Sequence, residues 1–464
     1  MIKNKYLNNV KIIDIGTKKK CIGKNDDNKV IFLNEGVPGD NVNIKILKKY
    51  KGSAEGKIIS YNKHSKYKIT PKCNYFGICG GCNFQDISYL KQIKLKEKKV
   101  LKVFKDLNVS KESLNKIIPS KKEYFYRNKL EFSFSNNRWI SLEEIKSEKK
   151  LNKNALGFHK PGKWDKVVDI YNCHLQSKLS DKIKNLVRNY CLDKKLKFFD
   201  HREKKGFLRN LTIKTSLDNE VMLLFQFYKK SKEINGLLKY VQINFPSVKS
   251  IVYIINKKHN DSIYDQKIIK FYGRDFINEK IGDLNFKIKA KTFYQTNSLQ
   301  AKKMYKIISN WSKIKNQEVV LDLYTGIGTI ALSISKNSKK IIGVDIVEDS
   351  IKIAKENSKN NNIKNVSFIH GDVKNVLDEI IIKYGKPSII ILDPPRNGVE
   401  KITIDKLLKI LPEKLIYISC NIMTQYRDIK LIKDFYEIRK IQPIDMFPQT
   451  HHIENIVLLE KILK

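Results

Sequence analysis

Residues 321–331 read LDLYTGIGTIA, an apolar strand that runs into a glycine-rich turn and then a helix. Gly326 and Gly328 let the backbone come close to a ligand, and the amides opening the following helix point toward it. The surrounding grammar repeats. From about residue 287 onward, the short apolar runs VVLDLY, IIGVDI, VSFIHGD, SIIILDPP and LIYISCN alternate with helix-length segments. Such alternation predicts a parallel sheet with crossover helices, the doubly wound α/β class, whose ligands sit at the carboxyl edge of the strands. The turn alone leaves two ligands open. Gly326, Gly328 and Ala331 satisfy the dinucleotide pattern G-x-G-x-x-A, and Asp345 ends the next strand where a ribose-binding acid belongs. Asp322, just ahead of the glycines, points instead to S-adenosylmethionine, because an acid there faces the amino group of methionine and repels a pyrophosphate. Asp372, closing the third strand at HGD, adds another carboxylate to a cleft suited to a sulfonium cation.

Two further motifs come to the same edge. ILDPPRNG at 391–398 places Asp393 just past the fourth strand, in a loop stiffened by two prolines. LIYISCN then delivers Cys420. A cysteine at a strand end is most often a buried structural residue. Beside a methyl donor it has a use, since uracil C5 is too weakly nucleophilic to attack until a thiolate adds to C6. A base must then take the C5 proton. In DMFPQTHHIENIVLLE, residues 445–460, the closing apolar run reads as a terminal strand with Glu454 at its start. An acid entering a strand is ordinarily solvated. His451 and His452 are alternative bases or a metal pair, although neighbours on a strand face opposite sides and would not share one site.

Working outward, residues from Lys11 to about Tyr61 carry short alternating stretches broken by the turn GVPGD at 36–40. They predict a small all-β unit, which either grips nucleic-acid backbone or merely packs on its neighbour. PKCNYFGICGGC follows at 71–82, then a Lys-rich segment, 87–107, with Leu90, Ile93, Val100, Leu101 and Phe104 at helical spacing. Between about 120 and 285 runs such as KLEFSFS and VMLLFQFY predict a β-rich middle unit. With 91 Lys and Arg against 48 Asp and Glu, the formal charge of +43 points to a polyanionic partner. The general abundance of Lys, Asn and Ile also fits compositional drift on solvated faces. A length of 464 residues favours two to four domains. The N-terminus lacks the apolar core of a signal peptide, and no run of about 18 apolar residues predicts a membrane span. With seven cysteines, three of them clustered, a cytoplasmic location and a metal site are expected.

Taken together, the motifs resemble one family. The C-x5-C-G-G-C block of Cys73, Cys79 and Cys82, the F-x-Q-x-N of Phe293, Gln295 and Asn297, the DPPR of Asp393 to Arg396, the SCN around Cys420 and the PQTHHIE ending at Glu454 occur in the family's order. Nearly end to end the chain is similar to the RNA (uracil-5-)-methyltransferases of the TrmA and RlmD type. The resemblance implies a TRAM (OB-like) β-barrel over 1–62, a β-rich central domain carrying a cluster over 63–286, and a Rossmann-like S-adenosylmethionine-dependent methyltransferase domain over 287–464. The helix at 87–107 would pack on that last domain. Cys420 would be the nucleophile and Glu454 the proton acceptor. Donor binding would fall on Gln295, Tyr324, Gly326, Gly328, Thr329, Asp345, Asp372 and Asp393, with Gln295 and Asp393 equally suited to touch the uracil. Thr329 stands where one bacterial subgroup carries Asn.

The resemblance also supplies Cys173, in VDIYNCHL, as fourth ligand with Cys73, Cys79 and Cys82 to a 4Fe-4S cluster, whereas four thiolates by chemistry alone admit zinc. Cys21 and Cys191 are expected in cores. The implied partner is RNA, ribosomal RNA ahead of tRNA because barrel and cysteine block resemble the RlmD branch. The protein is expected to be a monomer away from membranes. A tRNA uracil-5 methyltransferase and a noncatalytic RNA-binding iron-sulfur protein are the alternatives. A base-amino methyltransferase would need an aromatic residue where Arg396 stands, and an RNA cytosine-C5 enzyme a cysteine where Pro395 stands.

Overall fold

The computed structural model describes residues 6–16, 20–107, 109–110, 112–147, 151–315 and 317–463, so residues 1–5 of the expected barrel lie outside the described residues. Strands Tyr6–Ile15, Cys21–Lys24, Val30–Leu33, Asn41–Tyr50 and Ser53–Lys63 close into a barrel in the order first, second, third, fifth, fourth. Alternate residues, among them Val10, Ile12, Ile31, Leu33, Val42 and Ile44, fill its interior, as the period-two pattern requires. Asp40 of the PGD turn accepts from the amides of Val37 at 2.8 Å and Ser65 at 2.7 Å. That buried carboxylate fixes the barrel to the chain that follows.

The central sheet has seven strands, in the order Ile269–Gly273, Val248–Ile255, Val221–Phe227, Leu208–Thr215, Lys129–Ser135, Ala155–Lys160, Lys163–Asp169. Its β-rich character matches the sequence pattern, with one addition. Val221–Phe227 and Val248–Ile255 pair in parallel through the crossover helix Glu233–Asn244. One face of the sheet packs on that helix and on Lys178–Asp193. Met222, Leu224, Val252 and Ile254 on the other face join a core that also holds Val320, Ile327 and Ile330 of the C-terminal unit. The two larger units therefore share one continuous apolar interior.

The C-terminal sheet also has seven strands: Val319–Leu323, Lys340–Asp345, Val366–His370, Ile389–Leu392, Lys414–Ser419, Tyr436–Ile444 and Glu454–Lys461. They stand in the order third, second, first, fourth, fifth, seventh, sixth, and the first five are parallel. The order reverses between the first and fourth strands, the switch point at which such sheets bind ligands. Val100 and Phe104 of the helix Tyr89–Phe104 enter the core on one face of this sheet. A division at 286–287 would cut through Leu284–Lys289, which pairs with Phe276–Ile281 and receives Asn357 Oδ1 on the Lys287 amide at 2.8 Å. No helix among the described residues is long and apolar enough to cross a membrane.

Candidate active site

The glycine turn leaves the first catalytic strand at the switch point. Tyr324, Gly326 and Gly328 all have positive φ, +68°, +56° and +81°. Around Gly326 a Cβ would meet open space, the side from which a ligand can approach, whereas at Gly328 it would sit 2.7 Å from Phe368 Cζ. Asp322 is wholly buried under this turn. Its Oδ2 accepts from Thr325 Oγ1 at 2.5 Å and from the Ala331 amide at 3.0 Å, and Oδ1 is enclosed without a partner. The expectation that Asp322 faces the methionine amino group is corrected: it clamps the turn from beneath, and burial pushes its carboxyl up to about 7.

Asp345, at the end of the second strand, receives the Gly326 amide at 2.9 Å and the Val347 amide at 2.8 Å. Each oxygen keeps a second acceptor site for a hydroxyl. Asp372 caps the helix Val373–Tyr384 through the Lys374 amide at 3.2 Å and pairs with Lys374 Nζ at 3.3 Å. Thr329 opens the short helix after Gly328 and hydrogen-bonds the buried Tyr305 hydroxyl. These residues therefore line the carboxyl ends of three adjacent strands. Gly328→Ala should lower unfolding stability by about 1–3 kcal/mol, the cost of a non-glycine residue in the left-handed region, before any relief of the Phe368 clash. A denaturant titration measures it, and an unchanged midpoint would contradict the strain.

The reacting end follows from register. Lys414–Ser419 and Glu454–Lys461 are antiparallel, and their ladder ends at Ser419 opposite Asn455. Cys420 leaves the first strand at the sheet end where Glu454 enters the other, paired with Ile444, and the thiol feels the charge of Glu454. Glu454 is buried, and its carboxyl is raised well above the usual range by desolvation and by the charge of Asp393. Asp393 is itself pushed up to about 7 by burial and by Asp322. Burial, then Glu454, raises the Cys420 thiol to about 11, opposed by the Arg396 guanidinium, which hydrogen-bonds it. Burial together with the acids outweighs Arg396, so the resting thiol is protonated.

Tyr305, buried behind the site, feels Asp393, Asp322 and Glu454 at once. Sequence reasoning missed it, because on the helix Ser298–Ser312 it reads as one more apolar-face residue. Gln295 is buried in the loop before that helix, its carbonyl accepting from Asn128 at 2.8 Å. Asn297 of the same motif caps the helix and donates to the Met446 carbonyl at 3.1 Å. The expectation for His451 and His452 fails, because both precede the strand. Their ring centroids lie 4.2 Å apart, so the rings share one side, and burial pushes both pKa values down to about 4.

Cys73, Cys79, Cys82 and Cys173 line one cavity of about 260 Å³, walled largely by Phe76, Leu130, Phe158 and Pro161. Among the described residues, no three His, Cys, Asp or Glu gather closely enough to hold a single metal ion. Cys21 and Cys191 are buried in the barrel and central cores.

Comparison with known proteins agrees with this arrangement. The family described as tRNA (Uracil-5-)-methyltransferase matches residues 88–462, and the TRAM domain matches residues 8–59. A protein of Bacteroides thetaiotaomicron named an uncharacterized RNA methyltransferase is 40% identical, over 95% of this chain and 98% of that one. One of the same description from Porphyromonas gingivalis is 39% identical over 97% and 99%. Among solved structures, the Pyrococcus abyssi tRNA (uracil-54, C5)-methyltransferase in complex with S-adenosyl-L-homocysteine shares the fold, with a TM-score of 0.75, 24% identity and coverage of 97% and 100%. With the glycine turn, the register of its last strand and a matching family spanning most of its length, the chain belongs to the S-adenosylmethionine-dependent RNA uracil-5-methyltransferases, with a TRAM barrel at its N-terminal end.

Proposed function

We propose that the protein methylates C5 of a uridine in ribosomal RNA through a covalent adduct with Cys420, and that Glu454 is the base that ends the reaction. The observation that carries this reading is the proximity of Cys420 to Glu454, Asp393 and Arg396 at the sheet edge that also bears the glycine turn. The Cys420 thiol first gives up its proton, a step favoured by Arg396 and opposed by the neighbouring acids. The thiolate adds to uracil C6, and the electron pair of the C5–C6 bond moves toward C5 and the O4 enolate. C5 then takes the methyl group, and the sulfonium donor leaves as a neutral thioether. Glu454 removes the C5 proton, the C6–S bond breaks, and the thiolate returns. Its raised pKa suits Glu454 to this task, because a carboxylate whose charged form is disfavoured by burial is a stronger base than an exposed one.

The +43 charge suits any RNA, and the resemblance of barrel and cysteine block to the RlmD branch favours ribosomal RNA. The tRNA reading stands second, because the Pyrococcus abyssi enzyme has the same extent and fold. Mapping 5-methyluridine in both RNAs from cells with and without the gene decides between them. Loss of one ribosomal 5-methyluridine with tRNA unchanged is expected, and loss confined to tRNA would reverse the assignment.

The four clustered cysteines fit a 4Fe-4S cluster better than zinc, since a single ion needs all its thiolates about 2.3 Å away and these instead ring a cavity. When bound, a cluster would tie the loop of Cys73, Cys79 and Cys82 to Cys173 through iron-thiolate bonds. Protein purified without oxygen should be brown and contain iron and sulfide; stoichiometric zinc without iron would refute the cluster.

A further inference from the structure

The loop that follows the third clustered cysteine is bonded to the segment that ends at Glu454. The amides of Asn83 and Phe84 both donate to the Gln449 carbonyl at 3.0 Å. Asn83 Oδ1 accepts from the His451 amide at 3.0 Å, and Asn83 Nδ2 lies 2.7 Å from His451 Nδ1. A side-chain amide provides a donor and an acceptor together, so Asn83 holds one residue by its backbone and by its ring. His451 stands three positions before Glu454.

Such fastening matters because the connection between Tyr436–Ile444 and Glu454–Lys461 contains neither helix nor strand. Its first half is held elsewhere. Lys96 Nζ reaches Asp445 Oδ1 at 2.5 Å, and the Tyr126 hydroxyl donates to the Pro448 carbonyl at 3.0 Å. Gln449 adopts φ +66° and exchanges hydrogen bonds with Gln92 at 2.9 and 3.1 Å. Beyond Gln449, among the described residues, the side-chain bonds that bring another part of the chain to this segment are those of Asn83.

We propose that Asn83 is a positioning residue for methyl transfer: it fixes His451, and so sets where Glu454 stands relative to Cys420. The cysteine loop then serves the chemistry mechanically. A base displaced by about 1 Å loses rate on the order of 10²-fold, and because Glu454 acts after the methyl group has moved, the loss falls on elimination. The inference rests on the reading of Glu454 as base.

The test uses full-length protein purified without oxygen, a uridine-containing RNA fragment and radiolabelled S-adenosylmethionine. Asn83→Ala, His451→Ala and the double variant are compared with Glu454→Gln. Turnover of each single variant should fall about 10- to 100-fold, with donor affinity and metal content within twofold of the parent. An enzyme–RNA band resistant to denaturation should accumulate, and the double variant should be no slower than the slower single one. Additive losses, or slower turnover without the band, would overturn the inference. If Asn83→Ala loses its metal, His451→Ala, outside the cysteine loop, carries the same criteria. If Glu454→Gln itself gives no band, the base assignment fails first; a band with Glu454→Gln alone leaves that assignment standing and rejects the role of Asn83.

Discussion

Cys420→Ala should bind S-adenosylmethionine and RNA as the parent chain does and lose methyl transfer by on the order of 10⁴- to 10⁶-fold, the range seen when a covalent nucleophile is removed. The size follows from the acceptor. Without addition at C6, uracil C5 has no enolate density to offer the methyl group. A second signature comes from the thiol, which burial and Glu454 raise to about 11. The reactive form is deprotonated, so in the parent kcat/KM should climb about tenfold per pH unit from neutrality upward while the thiol remains mostly protonated. Arg396 works against burial and the acids, and Arg396→Gln should depress the rate by a similar factor at pH 7 and pH 9, both well below the thiol's pKa. Methyl incorporation from labelled donor measures all three. A wild-type rate in Cys420→Ala would mean that the methyl acceptor is something other than uracil C5.

Glu454→Gln should fail later in the cycle. The side chain keeps its shape but cannot take the C5 proton, so addition and methylation proceed while elimination slows by about 10²- to 10⁴-fold. The enzyme should then remain bonded to RNA through C6, visible as a slowly migrating band after denaturation, with at most one methyl group transferred per chain. Multiple turnovers without that band would exclude Glu454 as the proton acceptor.

Much of this site was legible in sequence because the catalytic unit announces itself locally. Each motif closes a parallel strand, and parallel strands bring their carboxyl ends to one edge whatever the intervening helices contain. Thus Asp345, Asp372 and Asp393 follow from the strand ends, whereas Tyr324 came from the family resemblance. The proximity of Cys420 to Glu454 did not follow in this way, since it depends on the final strand running antiparallel beside Lys414–Ser419. Asp322 was misjudged for a related reason: its position predicted the right edge, but the tight turn at Gly326 and Gly328 folds over it and takes its oxygen. The histidines were read as strand residues because the apolar run after them is one, yet the strand begins at Glu454. In the central domain Val221–Phe227 was read as a strand and is one, whereas the crossover helix Glu233–Asn244, which lets it pair in parallel with Val248–Ile255, was not anticipated.

The interior common to the central sheet and the catalytic sheet has a mechanical meaning. Met222 and Ile254 lie in the same apolar cluster as Val320 and Ile327, so swinging one unit away from the other would expose that cluster to water, at roughly 25 cal/mol for each Å² uncovered. A hinge there is disfavoured. The jaws of this enzyme are set, and a uridine stacked in its RNA has to be turned out of the helix or loop to reach Cys420. Accordingly, substrates whose target base is already unstacked should react fastest, and the choice among uridines becomes a property of RNA deformability as much as of sequence.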